Sequence, residues 1–159
     1  YGESKYRAEQ LMQKANCINT TFRISWLFSP FGNNFVKKIL KSSEINQTIK
    51  VVNDQWGKPC YGIDLARVIL KNIFLSSFFE HKCYHYAQKG TITWFDFAKK
   101  IVAIKEKSCE ITPCSTNQQP ARAQRPKYGV LDTSLIERHL SLSPATWENA
   151  LKRCLNKIK

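Results

Sequence analysis

The sequence predicts an α/β fold with at least some parallel strand pairing. Through the first hundred of its 159 residues, segments of helical periodicity alternate with short runs rich in β-branched and aromatic residues. A hydrophobic content of 43%, with 12% aromatic residues, is that of a chain that buries a core rather than a disordered one. The length suits one domain, and the sequence contains neither an internal repeat nor a low-complexity segment.

Residues 2–15 read as a helix, with Ala8, Leu11, Met12 and Ala15 at the spacing of one buried face. Residues 16–19 make a turn, and 20–28 read as a strand through Thr20, Thr21, Phe22, Ile24 and Trp26. Proline, glycine and two asparagines mark 29–34 as a loop. Phe35, Val36, Ile39 and Leu40 then place an apolar stripe on a short helix whose other side carries lysines. A strand over 48–52 runs into a polar loop, 53–59, that holds Trp56. Leu65, Ala66, Val68, Ile69, Ile73 and Phe74 predict a strongly apolar helix over 64–77, followed by a short strand over 83–87. Thr93 and Asp96 have the spacing of a near capping box, at the start of a helix carrying Phe97, Ile101, Val102 and Ile104. With Pro113, Pro120 and Pro126, residues 111–127 read as irregular. Residues 128–131 read as a last short strand, and 133–140 and 145–158 as closing helices.

Charge and cysteine usage narrow the function classes. The net charge is +13, from 25 Lys and Arg against 12 Asp and Glu, which raises nucleic acid or an anionic membrane as a partner. The cations are scattered, however, and Lys37, Lys38 and Lys41, Lys99, Lys100, Lys105 and Lys107, and 152–159 all fall on outer helix faces. Solvated surface is the better reading, and a small anion such as a nucleotide diphosphate would also suit it. Neither nucleic acid nor membrane is expected as a partner. No apolar run reaches the ~18 residues of a membrane span, and no signal peptide is visible. The chain begins at Tyr1 rather than at a methionine, so a processed chain or a fragment is expected. The six cysteines (17, 60, 83, 109, 114 and 154) form no C-x-x-C pair, and His81, His85 and His139 lie near only one of them. No zinc site is expected, and free thiols in a reducing cytoplasm are the default.

One pair of residues carries chemistry. Tyr1 and Lys5 are four positions apart, which stacks a phenol and an ammonium on one helix face. A free phenol ionises near pH ~10, and a cation beside it favours the phenolate, so such a pair can pass a proton to or from an alcohol or ketone. The competing reading is two solvated residues in a lysine-rich chain.

The motifs that follow decide between these readings by resemblance. Tyr-Gly-x-Ser-Lys-x-x-Ala-Glu at 1–9 resembles the active-site helix of the extended short-chain dehydrogenases/reductases. Arg-Ile-Ser-Trp-Leu-Phe at 23–28, Gly-Asn-Asn-Phe-Val-Lys at 32–37 and Val-Asn-Asp-Gln-Trp-Gly-Lys-Pro at 52–59 follow it. Asp-Leu-Ala at 64–66, Arg-Pro-Lys-Tyr-Gly-Val-Leu-Asp-Thr-Ser at 125–134 and Trp-Glu-Asn-Ala-Leu-Lys-Arg-Cys-Leu at 147–155 complete the series. In this order and spacing, across essentially the whole chain, they are similar to the dTDP-4-dehydrorhamnose reductase family.

That resemblance implies an NAD(P)-binding Rossmann-like fold with a small sugar-nucleotide-binding α/β portion, of which this chain is the C-terminal part. Residues 1–30 would end the dinucleotide-binding domain. Residues 31–159 would mainly bind the sugar nucleotide, with some segments returning to the first domain. The implied activity is reduction of dTDP-4-dehydro-6-deoxy-L-mannose to dTDP-L-rhamnose, with hydride from NADPH or NADH, in cell-surface polysaccharide biosynthesis. The tyrosine matching Tyr1 donates the proton, while the lysine matching Lys5 favours its ionisation and binds the nicotinamide ribose. Trp26 matches a tryptophan that packs on the sugar, Asn33 and Asn34 match positions that bond the nucleotide diphosphate, and Gln55 and Arg125 are candidates for the nucleotide side. The alternatives are a core residue at a strand end for Trp26, plain turn chemistry for Asn33 and Asn34, a loop-stabilising amide for Gln55 and a surface cation for Arg125.

The glycines stand at 2, 32, 57, 62, 90 and 129, so no Gly-x-Gly turn is present to cradle a dinucleotide's phosphates, and this chain alone is expected not to turn over. Three positions depart from the family. Cys60 replaces a usual Thr or Ser, Arg122 replaces a usual proline, and Ile63 stands at the acidic position through which some members bind magnesium at a subunit contact. That metal is therefore not expected. A cytoplasmic enzyme acting on a dTDP-sugar, with a homodimer as an open question, is the resulting reading. Its rivals are a non-catalytic binding subunit like the regulatory subunit of methionine adenosyltransferase, another NAD(P)-dependent nucleotide-sugar reductase or epimerase, and a basic nucleic-acid-binding module.

Overall fold

The structure is a computed structural model that describes residues 1–119 and 123–158. Helices α1 (Gly2–Lys14), α2 (Phe35–Ile45), α3 (Gly62–Asn72) and α4 (Trp94–Ile104) alternate with short strands, and α5 (Ser134–His139) and α6 (Trp147–Leu155) close the chain. The strands are β1 (Thr21–Ile24), β2 (Leu27–Phe28), β3 (Thr48–Val52), β4 (Trp56–Gly57), β5 (Cys60–Tyr61), β6 (Cys83–Tyr86), β7 (Ile92–Thr93) and β8 (Glu110–Cys114). They pair as β1–β6, β2–β5 and β3–β8, all parallel, and β4–β7, antiparallel. The architecture is α/β with parallel pairing, as the alternation predicts.

Two cores organise these elements. The larger packs α2, α4 and α6 around β2, β3 and β5, through Phe28, Val36, Ile39, Val51, Phe97, Ile101, Leu151 and Leu155 among others. The apolar stripes predicted on α2 and α4 are its contents. Helix α4 starts where predicted, because the Asp96 amide donates to Thr93 Oγ1 (3.1 Å) while the Thr93 amide donates back to Asp96 (3.4 Å). The smaller core joins Cys60, Tyr84, Tyr86 and Ile136, with Leu65 and Val68 of α3 against it. Cys60 suits this place, since a thiol can be buried here without the unmet hydrogen-bonding demand of a hydroxyl, and burial pushes it up to about 12.

Five expectations need correction. The strand over 20–28 is two strands, because Trp26 sits in the left-handed region (φ 49°) and turns the chain from a partner in β6 to one in β5. Within the supposed irregular stretch, β8 runs in register with β3, Pro113 opposite Val51. A proline is tolerated there because the ladder has only two strands, leaving one side of β8 unpaired. Residues 128–131 form no strand, since Tyr128 makes only an isolated bridge to Trp56. The apolar helix ends at Asn72 and gives way to a 3₁₀ turn, Ser76–Phe79, with Phe74 94% exposed between them. On α1, the face of Ala8, Leu11, Met12 and Ala15 is exposed, with no residue of α1 buried. Periodicity identifies a face that can be covered, and no described element covers this one.

The two cores meet at Asp64, in the first turn of α3. Arg153 of α6 donates both guanidinium nitrogens to its carboxylate (2.9 and 2.5 Å), and buried Gln88 donates its amide (3.0 Å). Gln88 in turn accepts from the Tyr61 amide of β5 (3.0 Å), and the Arg153 guanidinium lies over the Tyr61 ring. Removing the carboxylate leaves a buried amide and a guanidinium without their acceptor. Asp64→Ala is therefore expected to destabilise the fold by about 2–3 kcal/mol, read as a lowered urea midpoint, with Asp64→Asn recovering part of the loss.

Candidate active site

Tyr1 stands at the N-terminal boundary of α1, where its backbone carbonyl accepts from the Lys5 amide (3.2 Å) and the Ser4 hydroxyl (2.8 Å). The predicted four-residue spacing brings Lys5 Nζ to 5.5 Å from the centre of the Tyr1 ring. A second cation, unforeseen from spacing, joins it, with the Arg125 guanidinium 5.0 Å from the same ring. Tyr1 itself is 72% exposed and lines two adjoining clefts. One, of about 740 Å³, runs between α1 and β1 on the Lys5 side. The other, of about 370 Å³, is lined by Trp26, Gln55, Trp56, Trp94 and Arg125. Four of the seven sequence candidates, Tyr1, Trp26, Gln55 and Arg125, thus share one cleft, with Lys5 one helical turn from Tyr1.

Trp26 is held more tightly than a strand-end residue requires. Its carbonyl accepts from the Cys60 amide (3.2 Å), and the Ser25 hydroxyl donates to the Lys58 carbonyl (2.7 Å), fixing the kink. Trp94 stacks on its indole at 3.7 Å between centroids and 15° between planes. A Cβ added at Gly57 would lie 2.6 Å from Cε2 and 2.7 Å from Cζ2 of the same indole. That pattern is an approach to a ring face, and two such close neighbours cannot share one face. The indole is clasped on both sides, so an edge of Trp26 meets the cleft rather than the open face expected for sugar packing. Trp56, 44% exposed beside it, offers more surface. Neither Trp56 nor Trp94 is among the sequence candidates, although Trp56 stands within the 52–59 motif and Trp94 directly follows the capping threonine.

Gln55 is fixed by a short chain of hydrogen bonds. Its amide donates to Thr116 Oγ1 (3.0 Å), which donates to Asp54 Oδ1 (2.6 Å), and the Thr116 backbone amide also donates to Asp54 (3.0 Å). These bonds hold the Asp54 carboxyl below its usual range. The loop-stabilising role left open for Gln55 is thus present, in a residue that also lines the cleft. Trp56 anchors the Arg125 segment through its backbone, its amide donating to the Lys127 carbonyl (2.7 Å) and its carbonyl accepting from Gly129 (2.8 Å).

Asn33 and Asn34 lie apart from this cleft, in a recess with Lys37, Lys38 and Lys41. Asn34 is the N-cap of α2. Its oxygen accepts from the Lys37 amide (3.3 Å) and its nitrogen donates to the Ser29 carbonyl (2.8 Å), which is turn and cap chemistry. Asn33 is exposed. Arg122, a departure from the family pattern, lies outside the described residues. Among the described residues no group of three or more His, Cys, Asp or Glu is placed to hold a metal ion, and no helix is long and apolar enough to cross a membrane.

Comparison with known proteins places this geometry. The RmlD substrate binding domain family matches residues 1–159. The chain is 32% identical to a dTDP-4-dehydrorhamnose reductase of Aggregatibacter actinomycetemcomitans, over 96% of this chain and 55% of that protein. It is 33% identical to a spore coat polysaccharide biosynthesis protein of Bacillus subtilis, over 98% of this chain and 53% of that one. The crystal structure of a dTDP-4-dehydrorhamnose reductase from Bacillus anthracis in complex with NADP superposes with a TM-score of 0.90 at 34% identity, covering 100% of this chain and 55% of that one. The chain therefore spans about half the length of the relatives it matches.

Two outcomes test the site's construction. Because the Asp54 carboxyl ionises more readily folded than unfolded, its latch contributes stability above the ordinary aspartate range and loses it as pH falls through the folded value. Acid titration of stability should show this loss below about pH 4, and Asp54→Asn should lack that component. Gly57→Ala should cost about 1–3 kcal/mol through overpacking against Trp26 and alter the near-UV circular dichroism of the Trp26–Trp94 stack.

Proposed function

The chain belongs to the RmlD substrate-binding domain family, and on that premise we propose that it is the proton-donating, sugar-nucleotide-binding part of a dTDP-4-dehydrorhamnose reductase. The observation that carries this reading is Tyr1 with the Lys5 and Arg125 cations over its ring, at the edge of an aromatic cleft. Residues 1–30 end the cofactor domain, and 31–159 mainly bind dTDP-4-dehydro-6-deoxy-L-mannose. The relatives carrying the reductase name, and the NADP in one of their structures, support the assignment.

The chemistry follows from the residues. The Tyr1 hydroxyl gives its proton to the ketone oxygen at C4 of the sugar as hydride reaches the carbon, so the C=O bond becomes CH–OH and the phenol is left as phenolate. Lys5 and Arg125 face the ring on which that negative charge forms. Lys5, exposed beside the larger cleft, offers hydrogen-bond donors that fit the ribose of a nicotinamide cofactor, and with Tyr1 it would hold that end of it. When bound, the reduced nicotinamide supplies the hydride.

The deoxysugar's C–H surface meets Trp56 and the edge of Trp26, while Gln55 and Arg125 face the nucleotide. The recess of Asn33 and Asn34 with three lysines adds positive charge suited to a diphosphate. Unpaired thiols at all six cysteines favour a cytoplasmic location.

Tyr1→Phe in the complete protein provides the test. Turnover of dTDP-4-dehydro-6-deoxy-L-mannose should fall by about 10²–10⁴-fold, with dTDP affinity by calorimetry changed less than about threefold. A parental rate in this variant would remove the proton-donor role.

A further inference from the structure

The helix that carries Tyr1 and Lys5 has no buried residue. Helices are ordinarily fixed in place and rotation by an apolar face, and the apolar face of α1 is left uncovered by the described residues. Glu9 is the single residue of α1 that is not exposed, and it lies on the same face as Lys5 and Tyr1, by successive steps of four. Its two carboxylate oxygens accept from Arg23 of β1, Nε to Oε1 at 2.9 Å and Nη2 to Oε2 at 2.5 Å. A two-pronged bond between planar groups fixes angle as well as distance, which a single contact does not. Arg23 is itself held in register, opposite His85 in the β1–β6 pair. At the other end of the helix, the Asn19 amide donates to the Met12 carbonyl (2.9 Å). Within this chain, which spans about half the length of its relatives, two polar contacts tie α1 to its neighbours. The anchor nearer the reacting phenol is the Glu9–Arg23 fork, two turns from Tyr1.

We propose that Glu9 and Arg23 are positioning residues, which fix the rotation of the proton-donor helix on the sheet and so the direction in which the Tyr1 hydroxyl and Lys5 ammonium point. This rests on the reading of Tyr1 as proton donor. Both residues line the larger cleft on the Lys5 side and neither lies in the Trp26–Trp56–Arg125 cleft, so their loss misaims the donor while leaving sugar-nucleotide recognition in place. Misplacement of a catalytic group by about an ångström costs on the order of a hundredfold in rate, and the expected signature is a split between kcat and KM.

The test compares Glu9→Ala, Arg23→Lys and the charge swap Glu9→Arg with Arg23→Glu in the complete protein, beside Tyr1→Phe. Arg23→Lys keeps the charge and loses the fork, which guards against a variant that fails simply by unfolding. Expected are a fall in kcat of about ten- to a hundredfold in each single variant, KM and dTDP affinity within about threefold of the parent, and recovery of most of kcat in the swap. A parental kcat in either single variant, a swap no faster than the singles, or a loss of dTDP binding that matches the loss of kcat would each overturn the proposal. If Tyr1→Phe is inactive while Glu9→Ala keeps the parental rate, only the positioning role fails. If Tyr1→Phe turns over normally, the proton-donor reading fails and takes the positioning role with it.

Discussion

At the first turn of α3 the Asp64 carboxylate takes two hydrogen bonds from Arg153 and one from Gln88, and the relation of the two cores follows from that contact. Helix α6 belongs to the larger core and α3 to the smaller, so the fork between them sets the one against the other. Through Gln88 the same carboxylate reaches the Tyr61 amide and hence β5, whose neighbour Pro59 accepts from the Gln88 backbone. Only two residues separate β5 from β4, and β4 carries Trp56 and Gly57. The position of the cleft wall is thus tied to a partly buried ion pair rather than to apolar contact alone. With Arg153 less buried than Asp64, the pair escapes much of the desolvation cost that burdens a fully buried one.

The cleft combines rigid and adjustable parts. Trp26 has a backbone conformation unfavourable to a bulky side chain, and it is kept there by Trp94, Gly57 and the hydrogen bonds of Ser25 and Cys60. Trp94 is in turn braced by Phe35 at 4.5 Å and by the capped start of α4. The Trp26–Trp94 pair is therefore scaffold with one working edge. Arg125, by contrast, is exposed and lies on Tyr1 by a single cation–π contact, so its guanidinium can leave the ring for a phosphate oxygen at small cost. Pre-built aromatic walls with one movable cation suit the sugar nucleotide proposed above, which joins an apolar C–H face on the sugar to a charged diphosphate.

Local features were legible in the sequence, and features that depend on distant pairing were not. The Tyr1–Lys5 neighbourhood follows from helical spacing, and the Thr93–Asp96 cap from a three-residue interval. Asp64 and Arg153 stand in two separate motifs of the sequence, yet they are 89 positions apart and nothing local says that they touch. The stacking of Trp26 on Trp94 is hidden for the same reason. The strand over 110–114 is hidden in the sequence because its proline argues against pairing unless one knows that, among the described residues, its outer side is unpaired. The exposed face of α1 shows the converse limit, since an amphipathic pattern names a surface without naming its cover. In the sequence Glu9 is one position of a motif, and its meaning lies in the facing Arg23.

The chain of hydrogen bonds through Thr116 has a direction. An ionised Asp54 can only accept, so the single hydroxyl proton of Thr116 points to it, and the Thr116 oxygen is left to receive. Gln55 must then turn its NH₂ inward to Thr116. That bond uses one N–H of the amide and leaves its second N–H and its carbonyl oxygen, one donor and one acceptor. The orientation of that amide is set by a carboxylate two hydrogen bonds away.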